Sequence, residues 1–136
     1  MHLLTHAALG AALSSGVQDP AVAALMGLVS HAVLDALPHR DAQVSLEFMA
    51  DVAATMALAT LLTSHRTLGL YPVIGAVSGL APDAEIGLAY LGWFPGAVLF
   101  PSHSGLLPHD QTQSWRAVIA EVVLALGLVA YLAKAV

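Results

Sequence analysis

Apolar residues run along this chain in blocks, and most polar residues fall between the blocks or in rows four residues apart within them. Leu3 to Val17 forms the first block, closed by Gln18-Asp19-Pro20, where Pro suits the first helical position. Ala21 to Leu37 forms the second and stops at Pro38. Both fall short of the ~20 residues that a straight membrane span needs, so they predict a tight helical hairpin across a thin or pinched bilayer. Asp41 caps a third segment running to about Ser64, long enough to cross fully, with His65 and Arg66 closing it. Thr67 to Leu80 is a fourth segment, ending in a loop A-P-D at Ala81 to Asp83. Ile86 to Phe100 is a fifth, interrupted by Gly92, Pro95 and Gly96, which predicts a kinked or re-entrant path. Pro101 to Gln113 is a polar loop carrying His103 and His109, and Ser114 caps a last helix to about Ala133.

Composition turns these blocks into a fold class. Hydrophobic residues make up 58% of the 136 positions and charged residues only 10%, against about 25% charged in a soluble domain. The expectation is an all-α polytopic membrane helix bundle, one integral membrane domain over residues 1–136, with about five or six membrane segments, some short or re-entrant. A net charge of -5 with four fixed cations argues against nucleic-acid binding, which needs a basic patch. With no cysteine, thiolate metal sites and disulfides are ruled out. The start, M-H-L-L-T-H, lacks the basic stretch of a secretory signal, so the first block is expected to stay as a helix. If every segment spans, Arg40 and Lys134 face one side and Arg66 and Arg116 the other, which leaves orientation open. Trp93, Trp115 and Tyr131 suit the membrane interface, and Glu121 in the last helix suits pairing with Arg116 or a contact in a homo-oligomer.

Three polar rows carry candidate chemistry. The first block holds His2 and His6, continued by Gly10. The second holds His31, Asp35 and His39, preceded at the same spacing by Gly27, and the third holds Gln43, Glu47, Asp51 and Thr55. Residues four apart share one helix face. Folding the chain at residues 18–20 and again near 38–41 brings His6 level with His31, and Glu47 and Asp51 to within about a turn of Asp35 and His31, at ~1.5 Å of rise per residue. A carboxylate at the centre of a membrane helix costs about 2.5–3.5 kcal/mol on insertion scales. Several together need a counter-charge, and a divalent cation supplies one while accepting neutral imidazole nitrogens. Mixed histidine and carboxylate donors suit zinc, with manganese or iron as alternatives. His6, His31, Asp35, His39 and His103 are the candidate ligands from these rows and the late loop, and Glu47 and Asp51 are the candidate general base and its orienter. Arg40, beside His39, reads first as a topological anchor.

The motifs T-H-x-x-x-G at Thr5 to Gly10, S-H-x-x-x-D-x-x-P-H at Ser30 to His39 and G-L-A-P-D at Gly79 to Asp83 together resemble small bacterial membrane proteins similar to the inner-membrane metal-dependent hydrolase family. That family has an early His, a later P-D motif and a late His-Ser pair; its late motif, H-R-x-x-T-H-S, stands here as V-L-F-P-S-H-S. The H-x-x-x-D element is also similar to that of zinc-dependent phospholipase C. The resemblance implies a divalent metal, Asp83 completing its shell, His103-Ser104 in the late position, and hydrolysis of a phosphate ester, with phospholipids among the candidate substrates, in the bacterial inner membrane. Two other classes use the same residues. A proton or divalent-metal transporter or channel would need polar groups continuing to the far face, whereas the rows turn apolar beyond Gly10, Gly27 and Thr55. A scaffold with a structural metal would need a closed coordination shell.

Overall fold

The computed structural model describes residues 2–40, 46–64, 69–93, 98–112 and 114–135, with the Tyr90 side chain excepted. Five helices follow one another: α1 (Leu3–Ser14), α2 (Pro20–Asp35), α3 (Leu46–Ser64), α4 (Tyr71–Tyr90) and α5 (Trp115–Lys134). The described residues contain no strand, only an isolated parallel bridge between His39 and Gln111. The chain is thus all-helical. The α1–α2 hairpin forms where the sequence places it. Asp19 accepts hydrogen bonds from Ala21 N (2.8 Å) and Val22 N (2.9 Å), and Pro20 occupies the first turn of α2, where its missing N–H costs nothing.

Two expected boundaries are corrected. Thr67 to Leu80 does not end at the A-P-D motif, because α4 continues through Pro82 to Tyr90 and carries Asp83 on a helix rather than a loop. Proline inside a helix removes one backbone bond and crowds the preceding turn. Here packing overrides that propensity, since α4 lies against both α1 and α2 and Pro82 itself is buried. Ile86 to Phe100 is not a helix of its own: residues 86–90 finish α4, Gly92 turns the chain with φ +74°, and residues 100–107 run in turns. Phe94 to Ala97, including the expected kink residues Pro95 and Gly96, lie outside the described residues, as do Asp41 to Ser45 and the His65–Arg66 closure.

The α1–α2–α4 contact is built from small residues. A Cβ at Gly27 would meet the Gly79 backbone nitrogen and the Ser78 Cβ at 2.8 Å each, and one at Gly10 would run into the Gly75 carbonyl. Glycine lets these backbones touch, as in close helix contacts generally. Around this seam Ala7, Ala8, Ala11, Leu58, Leu62, Ala76 and Leu132 form the buried core, to which α3 and α5 contribute by packing on α1. Leu25, Val29 and Val33 on α2, Met49 and Met56 on α3, and Ile119, Val123 and Leu126 on α5 stay exposed. Among the described residues two helices, α3 and α5, are long and apolar enough to cross a membrane; α1 and α2 are shorter apolar helices.

Candidate metal centre

The hairpin turn at Asp19 sets α1 and α2 antiparallel, and this stacks the His6 and His31 rings with centroids 3.9 Å apart and planes 20° apart. The His31 Nδ1–H donates to the Gly79 carbonyl at 2.7 Å, which leaves the Nε2 lone pair pointing inward. One turn on, Asp35 Oδ2 lies 3.2 Å from His31 Nε2. The loop after α4 brings in His103, whose Nε2 is 3.3 Å from Asp35 Oδ2 and 3.4 Å from His31 Nε2. These three atoms form a nearly equilateral triangle. Ligands around a tetrahedral cation with bonds of about 2.0–2.1 Å are themselves about 3.3–3.4 Å apart. The donor set therefore fits a divalent cation.

Asp83 and His6 extend the cluster on one side. Asp83 Oδ1 lies 3.9 Å from both His31 Nε2 and His103 Nε2, and its Oδ2 lies 3.9 Å from His6 Nε2. His6 Nε2 is also 3.6 Å from Asp35 Oδ1, and neither His6 nitrogen has a hydrogen-bond partner although the residue is 1% exposed. A buried imidazole without partners is costly. On the other side His39 directs its Nδ1–H to the Leu37 carbonyl (2.8 Å) and places Nε2 3.2 Å from His109 Nε2. His109 Nδ1 in turn is 3.4 Å from Asp35 Oδ2. Three overlapping groups result, His6-His31-Asp83, His31-Asp35-His103 and Asp35-His39-His109, each able to hold a metal ion.

Short backbone links hold the loop residues in register. Asp110 N donates to Asp35 O (2.9 Å), His39 N to Asp110 O (3.0 Å) and Thr112 N to His39 O (2.7 Å). Ser102, buried, donates its hydroxyl to Asp35 Oδ2 at 2.5 Å. The hydrogen bond between His103 and the Asp35 carboxylate raises the pKa of the imidazole despite its burial. A proton and a cation thus compete for the same nitrogen.

All six sequence-derived metal candidates, His6, His31, Asp35, His39, Asp83 and His103, come together in this cluster. His109 and Ser102 join them; the only sequence signal for either was a histidine and a serine near His103 in one polar loop. Glu47 and Asp51 stand apart from it, and Gln43 lies outside the described residues. Asp51 accepts hydrogen bonds from Leu3 N (2.7 Å) and Leu4 N (3.0 Å), capping the start of α1 from the neighbouring helix. Glu47 Oε1 is 3.2 Å from His2 Nε2, while its Oε2 is 3.4 Å from Arg40. His2 also bonds Glu121 through its backbone N–H and sits with Nδ1 3.0 Å from Glu121 Oε1. The hydrogen bond to Glu121 raises the His2 pKa above its usual value. Arg40 lies over the Trp115 ring at 4.9 Å. No protein-family model matches this chain, nor does any curated protein or solved structure.

Proposed function

We propose that this chain is a membrane-embedded, metal-dependent hydrolase that cleaves a phosphate ester, a phospholipid of the surrounding bilayer being the substrate class. The observation that carries the reading is the convergence of the His31, Asp35 and His103 side-chain atoms at 3.2–3.4 Å, with the His31 Nε2 lone pair inward and no fixed cation paired to Asp35 among the described residues. His6, His31, Asp35, His103 and Asp83 would hold the cation, with His39 and His109 on the far side of Asp35. Zinc suits these donors, and manganese or iron would also be accepted. A divalent cation there supplies Lewis acidity and lowers the pKa of water in its shell.

The chain's own residues do the rest. Asp35 is held by Ser102 and presents both oxygens to imidazoles, which fixes the ligand geometry. Asp83, whose side chain is 26% exposed where Asp35's is 2%, marks the side from which a phosphoryl group would enter. Glu47 and Asp51 take no part in proton transfer in this reading, because their oxygens are held by His2, Arg40 and the first N–H groups of α1. The Gly10–Gly75 and Gly27–Gly79 contacts beyond His6 and His31 suit a closed pocket better than a transport path. In the same reading the bundle lies in the bacterial inner membrane, crossed by α3 and α5, with the short α1–α2 hairpin inserted beside them.

The test is metal content of the protein purified in detergent, wild type beside the His31→Ala/Asp35→Ala double variant, followed by assay on phosphate esters and phospholipid vesicles. Wild type carrying metal that the double variant lacks, with hydrolysis lost in parallel, is the expected result. Wild type that binds no zinc, manganese or iron after re-addition would end the hydrolase reading.

A further inference from the structure

The arm that delivers His103 is fastened by a residue outside the ligand set. Glu85, on α4 two positions after Asp83, accepts hydrogen bonds from two consecutive backbone groups, Leu99 N and Phe100 N (3.1 Å to Oε2). An ionised carboxylate bonding paired N–H groups is the stronger, charge-assisted kind of contact, and here it starts the turn at residues 100–107. Ser104 N closes that turn on Phe100 O at 2.9 Å, and Leu106 N and Leu107 N close on Pro101 O at 2.9 and 3.0 Å.

What Glu85 holds leads directly to the cluster. The Phe100 ring meets His31 edge-on, with centroids 5.0 Å apart, and meets His103 at 5.8 Å. Two residues later Ser102 bonds Asp35, and the next residue is His103 itself. The far end of the arm is tied independently, through the backbone links from Asp110 and Thr112 to Asp35 and His39. The near end has only Glu85 as a side-chain anchor on a helix among the described residues, besides Ser102 on Asp35. One helix, α4, therefore supplies both a ligand, Asp83, and the tether that sets where His103 stands relative to it.

We propose that Glu85 is a positioning residue for the metal centre: its carboxylate, by clamping the Leu99 and Phe100 N–H groups, fixes His103 against Asp35 and so sets the affinity for a divalent cation. This rests on the metal-centre reading above. Outer residues that orient metal ligands typically contribute 10–100-fold to affinity.

The experiment measures Co2+ affinity by chelator competition, together with the visible absorption of bound Co2+, for wild type, Glu85→Ala, Glu85→Gln, His103→Ala and the Glu85→Ala/His103→Ala pair. Glu85→Ala should bind about 10–100-fold more weakly and shift its Co2+ spectrum toward that of His103→Ala. Glu85→Gln, which keeps one acceptor oxygen, should recover part of the affinity. The double variant should bind no more weakly than His103→Ala alone. Wild-type affinity in Glu85→Ala, or losses that simply add in the double variant, would overturn the role given to Glu85 and leave the metal centre standing. Wild type that binds no Co2+ would overturn both. Should Glu85→Ala lose its helical circular dichroism, Glu85→Gln and Glu85→Gln/His103→Ala carry the same comparison: an affinity loss absent from the His103→Ala background supports the clamp, and an equal loss in both backgrounds refutes it.

Discussion

Two polar clusters sit side by side at the start of α1, and they are satisfied in opposite ways. Around His2, acids meet donors: Asp51 takes the Leu3 and Leu4 N–H groups, Glu121 takes that of His2, and Glu47 faces His2 and Arg40. One turn further along, around His6, imidazole nitrogens crowd carboxylate oxygens. The His31 and His39 Nδ1–H groups are spent on carbonyls, so their Nε2 lone pairs converge with carboxylate oxygens. In the first cluster each carboxylate has a donor of the protein against it, although His2 Nδ1, Glu121 Oε2 and Arg40 Nε make no hydrogen bond. The second leaves His6 and Asp83 Oδ2 without hydrogen bonds in a buried place, an arrangement that a bound cation stabilises. Number of charges does not separate the two; the supply of donors does.

That contrast can be broken first where it is steepest. Asp35→Ala removes the carboxylate common to two of the three ligand groups. It should lower metal affinity by more than the 10–100-fold typical of an outer residue, as read by metal analysis after dialysis; retained metal would show that Asp35 is a bystander. Gly27→Ala attacks the seam that brings the second cluster together. The added Cβ meets backbone at 2.8 Å, so overpacking of about 1–3 kcal/mol should outweigh the ~1 kcal/mol helix-propensity gain of alanine. Thermal unfolding in detergent with metal present would measure it.

Asp51→Ala probes the first cluster in isolation. Losing the cap on α1 should cost about 1–2 kcal/mol while metal stoichiometry stays at the wild-type value. Loss of metal together with stability would return Asp51 to the functional set. His2→Ala gives the smallest effect, and one that depends on pH. A histidine whose folded pKa is raised binds its proton more tightly when folded, so its contribution is whole below about 6.5 and fades as the pH climbs through the raised value. The stability gap between wild type and His2→Ala should therefore narrow from pH 6 to pH 9, read by thermal unfolding across that range. A gap that widens with pH would refute Glu121 as the acceptor that stabilises the proton on His2.

How far the site could be read from the chain differs by residue. His31 and Asp35 four apart, and His6 across a hairpin marked by Asp19-Pro20, are consequences of helical period and turn chemistry. Glu47 and Asp51 obey the same period, yet α3 packs on α1 and α4, so Asp51 meets the free N–H groups of α1 and not the imidazoles. Spacing fixes which residues share a face but not which neighbour that face meets. Asp83 was legible as a polar residue after proline and misplaced as a loop residue, because packing on α1 and α2 carries α4 through Pro82.

The sequence by itself determined the first two apolar helices with the turn between them, the last helix and the His31–Asp35 pair, since each rests on local period and turn chemistry. Only the tertiary structure decided that Ser102, His103 and His109 arrive beside Asp35, the first of them 67 positions along the chain from it. The path of that arm is set by non-local contacts, the Glu85 clamp and the backbone links to Asp35 and His39. Loop closure of this kind leaves no period in the sequence, because its geometry is fixed by the helices that it joins.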